Sequence, residues 1–87
     1  MEDYDRLELE AELFLDTVSK NVEKIREEKG MTKLDVSREL GFMAADHYSR
    51  MEFRANQKHF NLKHLYKLSK IFNVPVSAFC KKTVDDE

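Results

Sequence analysis

A single cysteine, Cys80, among 87 residues leaves no partner for an internal disulfide, so a reducing cytoplasm is the expected compartment. One proline and two glycines are few breakers for this length, which favours long helices over a turn-rich β fold. No apolar run approaches the roughly 18 residues of a membrane span, and a transmembrane helix is excluded. The opening Met1-Glu2-Asp3-Tyr4-Asp5 is acidic where a secretory leader is basic and then apolar. A glycine-rich phosphate loop is also missing. What is there, 41% hydrophobic and 37% charged residues, describes a soluble folded chain rather than a disordered one. At 10.3 kDa it forms one small domain that buries roughly 60–65% of its unfolded surface, with little room for a large catalytic cleft.

The net charge of −2 hides a partition. Residues 1–16 carry seven acids against Arg6, residues 85–87 carry three more, and residues 17–84 hold fourteen Lys and Arg against seven acids. A basic body between acidic ends fits a polyanion partner, because Lys and Arg gain affinity by releasing counterions from phosphates. The same charges also fit solvated helix faces.

Apolar spacing predicts an all-α chain, a compact bundle of about five helices with an N-terminal helical extension. Leu7, Ala11, Phe14, Val18, Val22 and Ile25 step by three and four along one stripe of a first helix that runs, with room for a break at Asp16-Thr17, to Lys29. Gly30 stops it. Thr32-x-x-Asp35 reads as a capping box for a short second helix that ends at Gly41, with Val36 and Leu40 inward. Asp46 to Phe53 predicts a third helix with Tyr48 and Met51 in the core, and residues 54–59 form a polar loop. Asn61 caps a fourth helix whose Leu62, Leu65, Leu68, Ile71 and Phe72 repeat the spacing, and Asn73 or Pro75 ends it. A short last helix follows, with Val76 and Phe79 inward. The chain divides into an acidic extension at 1–16, a domain at 17–82 and an acidic tail at 83–87.

This order of helix, short helix, glycine turn and third helix is that of a helix-turn-helix. From Asn21 to Phe79 the sequence resembles the lambda-repressor-like, Cro/C1-type (XRE family) DNA-binding domain. The resemblance lies in Lys24-Ile25-Arg26-Glu27-Glu28-Lys29-Gly30-Met31-Thr32, Leu40-Gly41-Phe42, Tyr48-Ser49-Arg50-Met51-Glu52, and the stretch from Asn61-Leu62-Lys63 to Phe72-Asn73-Val74. Ser37 stands where the family usually has Ala, at a close helix crossing. Glu52 matches the acid that usually ends the recognition helix, where a structural hydrogen bond is its expected role. Six residues, Phe42 to His47, separate the turn glycine from Tyr48, one more than the family commonly has.

The resemblance implies that the third helix enters the major groove and that Ala45, Asp46 and Arg50 face base edges. Arg50 is the strongest of these, since its planar fork can bond guanine O6 and N7 together. Its alternative is a surface pair with Asp46 at i,i+4. Phosphate contacts fall to groups flanking the helix: Lys33 near the second helix start, His47 and Ser49 beside the reading face, and Arg54, Asn56, Lys58 and His59 in the following loop.

Enzyme chemistry finds no support. Asp46, His47 and Ser49 are triad residue types, yet neighbours on one helix cannot line up as nucleophile, base and orienter. His59, His64 and Cys80 match no zinc spacing, and no metal or cofactor is expected. Phe79 and Cys80 lie on a segment too short to bury itself, and Leu9 and Leu13 lie off the docking stripe, so these four are candidates for a two-fold dimer interface. The sequence therefore reads as a homodimeric transcriptional regulator, a repressor or autoregulator, on a two-fold symmetric double-stranded DNA operator. The alternative is an antitoxin-like module whose acidic N-terminal segment takes a basic protein partner.

Overall fold

The computed structural model describes residues 3–82. Four α-helices follow one another: α1 (Asp3–Glu28), α2 (Lys33–Leu40), α3 (Ala45–Phe53) and α4 (Leu62–Phe72). Two 3-10 turns, Ala55–Gln57 and Val76–Phe79, complete the order. No strand occurs among the described residues, and no helix is long and apolar enough to cross a membrane.

Local signals fix the boundaries. Thr32 Oγ1 accepts from the Asp35 N–H at 3.0 Å and the Asp35 carboxylate accepts from the Thr32 N–H at 3.1 Å, a complete capping box. These hydrogen bonds, the Thr32 backbone N–H foremost, hold the Asp35 carboxyl below its ordinary value. Gly41 ends α2 in the left-handed region at φ 89°, a conformation that costs other residues about 1–2 kcal/mol. Asn61 caps α4 by accepting from the His64 N–H at 2.8 Å, and Asn73 ends it at φ 57°.

The core joins Val18 and Val22 of α1, Val36 and Leu40 of α2, Tyr48 and Met51 of α3, Leu65, Leu68 and Phe72 of α4, and Phe60 and Phe79 from the connecting segments. Polar struts tie α1 to it. Ser19 Oγ donates to Met51 O at 2.8 Å, and Asn21 Nδ2 donates to Phe79 O and Lys81 O at 2.9 and 2.6 Å.

Several sequence expectations are corrected. Helix α1 is continuous through Asp16-Thr17, so no break separates residues 3–16 from the rest. Leu7, Ala11 and Phe14 keep the helical spacing but are exposed, because the other helices reach along α1 only as far as Leu15 to Val18. Leu62 is 82% exposed at the first position of α4, before that helix meets the core. The expected fifth helix is the 3-10 turn Val76–Phe79. Phe79 is fully buried against Phe72 and is therefore withdrawn from any surface interface. Cys80, Leu9 and Leu13 are exposed. The acidic tail 83–87 lies outside the described residues.

Candidate nucleic-acid interface

Helix α3 is positioned from behind by a buried ion pair. Arg26 of α1 donates from Nε to Glu52 Oε2 at 2.7 Å and from Nη1 to Met31 O at 2.9 Å, and the Tyr48 hydroxyl donates to the same carboxylate. The hydrogen bond to Glu52 outweighs desolvation and raises the Arg26 pKa, while burial and then Glu52 push the Tyr48 hydroxyl far up. Glu52, with a side chain only 1% exposed, is structural and cannot reach DNA.

The outer face of α3 follows from 100° per residue. Asp46, Arg50 and Phe53 fall within about 60° of arc, opposite the buried Tyr48 and Glu52, and all three are exposed. Among the described residues Asp46 and Arg50 form no ion pair with each other, which leaves the Arg50 guanidinium open to solvent. Ala45 is half-buried at the start of the helix. The turn before α3 bends at Met43-Ala44, where Met43 is fully exposed.

Two flanks border this stripe. On one, Lys33 of α2 reaches across to α3, with Nζ 3.5 Å from Ser49 Oγ and 4.3 Å from the centre of the Phe53 ring. On the other, His47 joins Asn56, Lys58 and His59 around an open cleft of about 380 Å³, with Met51 at its base and His64 of α4 on the far wall. The structure thus brings six of the seven expected phosphate-facing residues to the borders of α3.

Arg54 is the exception. Its backbone caps α3 at φ 61°, and its guanidinium turns back to donate to Asp16 Oδ1 at 2.9 Å, to the Glu12 side chain, and to Gln57 O and Lys58 O at 2.9 and 3.0 Å. Burial works against its charge, but hydrogen bonds to Asp16 and Glu12 prevail and raise its pKa. With a side chain 10% exposed, Arg54 braces the loop rather than presenting a free cation. Asn56 and Gln57 within that loop also have positive φ, 52° and 62°.

Sequence reasoning missed His64 as a cleft residue. The signal was its place three residues after Asn61, where a capping box puts a side chain near the helix start. His64 Nδ1 accepts from the Asn61 N–H at 3.1 Å, and desolvation, helped by His47, Lys67, His59 and Lys63, lowers its pKa. No group of three or more potential metal ligands assembles among the described residues.

A short capped helix, a glycine turn, and a second helix with an open outer face bordered by basic and polar side chains define a helix-turn-helix DNA-binding domain. The helix-turn-helix family model matches residues 22–79, more than half of the chain, and the chain belongs to that family in its Cro/C1-type (XRE) branch. It is a DNA-binding transcription regulator of that type, and the family is a regulatory rather than an enzymatic one. No curated protein and no solved structure matches the chain significantly.

Proposed function

We propose that the chain is a sequence-specific repressor or autoregulator acting in the cytoplasm, and that as a homodimer it lays α3 into successive major grooves of a two-fold symmetric operator. The observation that carries this reading is the exposed Asp46–Arg50 stripe, free of internal pairing and bordered on both sides by Lys33, Ser49, His47, Asn56, Lys58 and His59. Arg50 reads a base edge, Asp46 and Ala45 exclude or pack on neighbouring bases, and the bordering groups fix register on phosphates. The dimer contact is assigned to the exposed Leu9, Leu13 and Cys80, near the hollow that Leu13, Phe14, Thr17 and Cys80 line together with Glu10 and Lys82.

Selection of binding sites from random duplexes tests it. The expected product is an inverted repeat with half-sites about one helical turn apart. Arg50→Ala relaxes preference at one base pair per half-site, by about 1–3 kcal/mol, while Lys58→Ala weakens all sequences alike. Failure to enrich any sequence, or an Arg50→Ala variant with unchanged preference, overturns the assignment. A second reading, a protein-interaction module for a basic partner, is supported by the exposed Tyr4, Leu7 and Phe14 among the acids of α1.

A further inference from the structure

All three histidines of the chain line one cleft. His47 comes from α3, His59 from the loop after it and His64 from the first turn of α4. Lys58, Asn56 and Gln57 complete the polar wall, and no carboxylate among the described residues contributes to it. Lys63 and Lys67 of α4 add positive potential at His64. Two acids stand beside lining residues in sequence: Asp46 is exposed on the outer face of α3, and Glu52 is buried and engaged by Arg26 and Tyr48, so neither is part of the lining, and among the described residues α1 and α2 supply none. A concave wall of imidazoles, amides and an ammonium, without a carboxylate, suits an anion.

The rings are held in place. Phe42 packs near-perpendicular to two of them, with ring centres 4.7 Å from His47 and 5.8 Å from His64. His64 Nδ1 accepts from the Asn61 N–H, which leaves Nε2 to carry its proton, so His64 serves as a neutral donor. His59 Nδ1 stands 3.4 Å from Gln57 O, placing its other nitrogen away from that carbonyl. Neither His47 nor His59 has such a cap to satisfy. An imidazole that gains a proton gains a second N–H donor and a positive charge, and a phosphate oxygen nearby favours that form.

Resting on the DNA-binding reading, we infer that this cleft holds a backbone phosphodiester of the bound duplex and takes up protons at His47 and His59 as it does so. DNA affinity then rises under mildly acidic conditions, and the regulator's occupancy of its operator follows pH. The site adds affinity and register without reading sequence, since it meets only the backbone.

Calorimetric titration of the full chain tests the coupling. The probe is a duplex recovered by site selection, titrated at pH 6.5 in two buffers of different ionisation enthalpy. The expected result is net uptake of about one proton per protomer and, for the dimer, affinity on the order of a hundredfold or more tighter at pH 6.0 than at pH 7.5. His47→Gln and His59→Gln, both at exposed positions, reduce the uptake and flatten the pH profile, and they weaken duplex binding more at pH 6.0 than at pH 7.5. Duplex binding without proton uptake, or uptake unchanged in the double variant, overturns the inference and leaves the DNA-binding reading standing. Absence of duplex binding at both pH values overturns that reading and the inference with it. Inorganic phosphate is the second probe. Equal proton uptake with millimolar phosphate alone marks a free-anion site and overturns the backbone assignment, whereas uptake with duplex only supports it.

Discussion

Two buried polar residues on the interior side of the DNA-binding unit have opposite energetic consequences. Glu52 accepts from Arg26 at 2.7 Å and from the Tyr48 hydroxyl, so removing its carboxylate strands a buried guanidinium and a buried phenol. Glu52→Ala is expected to lower stability by about 3–5 kcal/mol, read as a lower urea midpoint, and to weaken DNA binding both through loss of folded protein and through loss of the pair that positions α3. Ser37 is also fully buried at the α2 crossing, but its Oγ has no hydrogen-bond partner among the described residues. Its hydroxyl therefore carries a desolvation cost without return. Ser37→Ala, which restores the residue usual in the resembling family, is expected to raise stability by about 1 kcal/mol with no change in DNA affinity. A destabilised Ser37→Ala protein would show that the hydroxyl has a partner in solution.

Among the elements, α4 carries a pH dependence of its own. The cap at its start requires His64 Nδ1 to be unprotonated, and the folded state lowers the His64 pKa through desolvation and neighbouring positive charge. The unfolded chain thus binds this proton more readily than the folded one. Stability from His64 is complete above the ordinary histidine value of about 6.5 and declines as pH falls below it toward the folded value. Urea midpoints at pH 7.5 and 5.5 check this, and His64→Gln, which keeps an acceptor at the capping position, is expected to flatten the difference. Where a local signal sets an element, the sequence was sufficient: Thr32 and Asp35, Gly41, Asn61 and Asn73 mark α2 and α4 almost to the residue. The Asp46–Arg50 stripe was legible for the same reason, since helical periodicity places both on one face. Arg54 was not, because its direction depends on a left-handed cap and on two acids 38 and 42 residues earlier. The exposure of Leu7 and Phe14 was equally hidden, since periodicity reports a face but not whether anything packs on it.

At the scale of the whole molecule, electrostatics are set by how far α1 extends past the core. Its 26 residues span about 39 Å, close to the longest dimension of 42 Å, and its first half holds most of the acids. Glu12 and Asp16 are engaged by Arg54, the residue that follows α3, so the acidic helix is fastened at the end of the proposed DNA-facing surface. Asp5, Glu8 and Glu10 form no ion pair among the described residues and extend this negative surface outward. Screening over about 8–10 Å at ordinary ionic strength confines their repulsion of DNA to a short range. If they lie within that range in the complex, D5N/E8Q/E10Q binds duplex roughly threefold tighter at 50 mM salt, with the gain vanishing by 0.5 M. The paired acids are left untouched, so the loop brace survives and any change reads the free charges alone. Binding measured across the salt series separates the outcomes. A gain confined to low salt makes the extension an electrostatic brake on operator occupancy. Unchanged affinity at every salt concentration removes the brake and leaves these acids, with the exposed Tyr4, Leu7 and Phe14 beside them, as the candidate surface for the proposed basic protein partner.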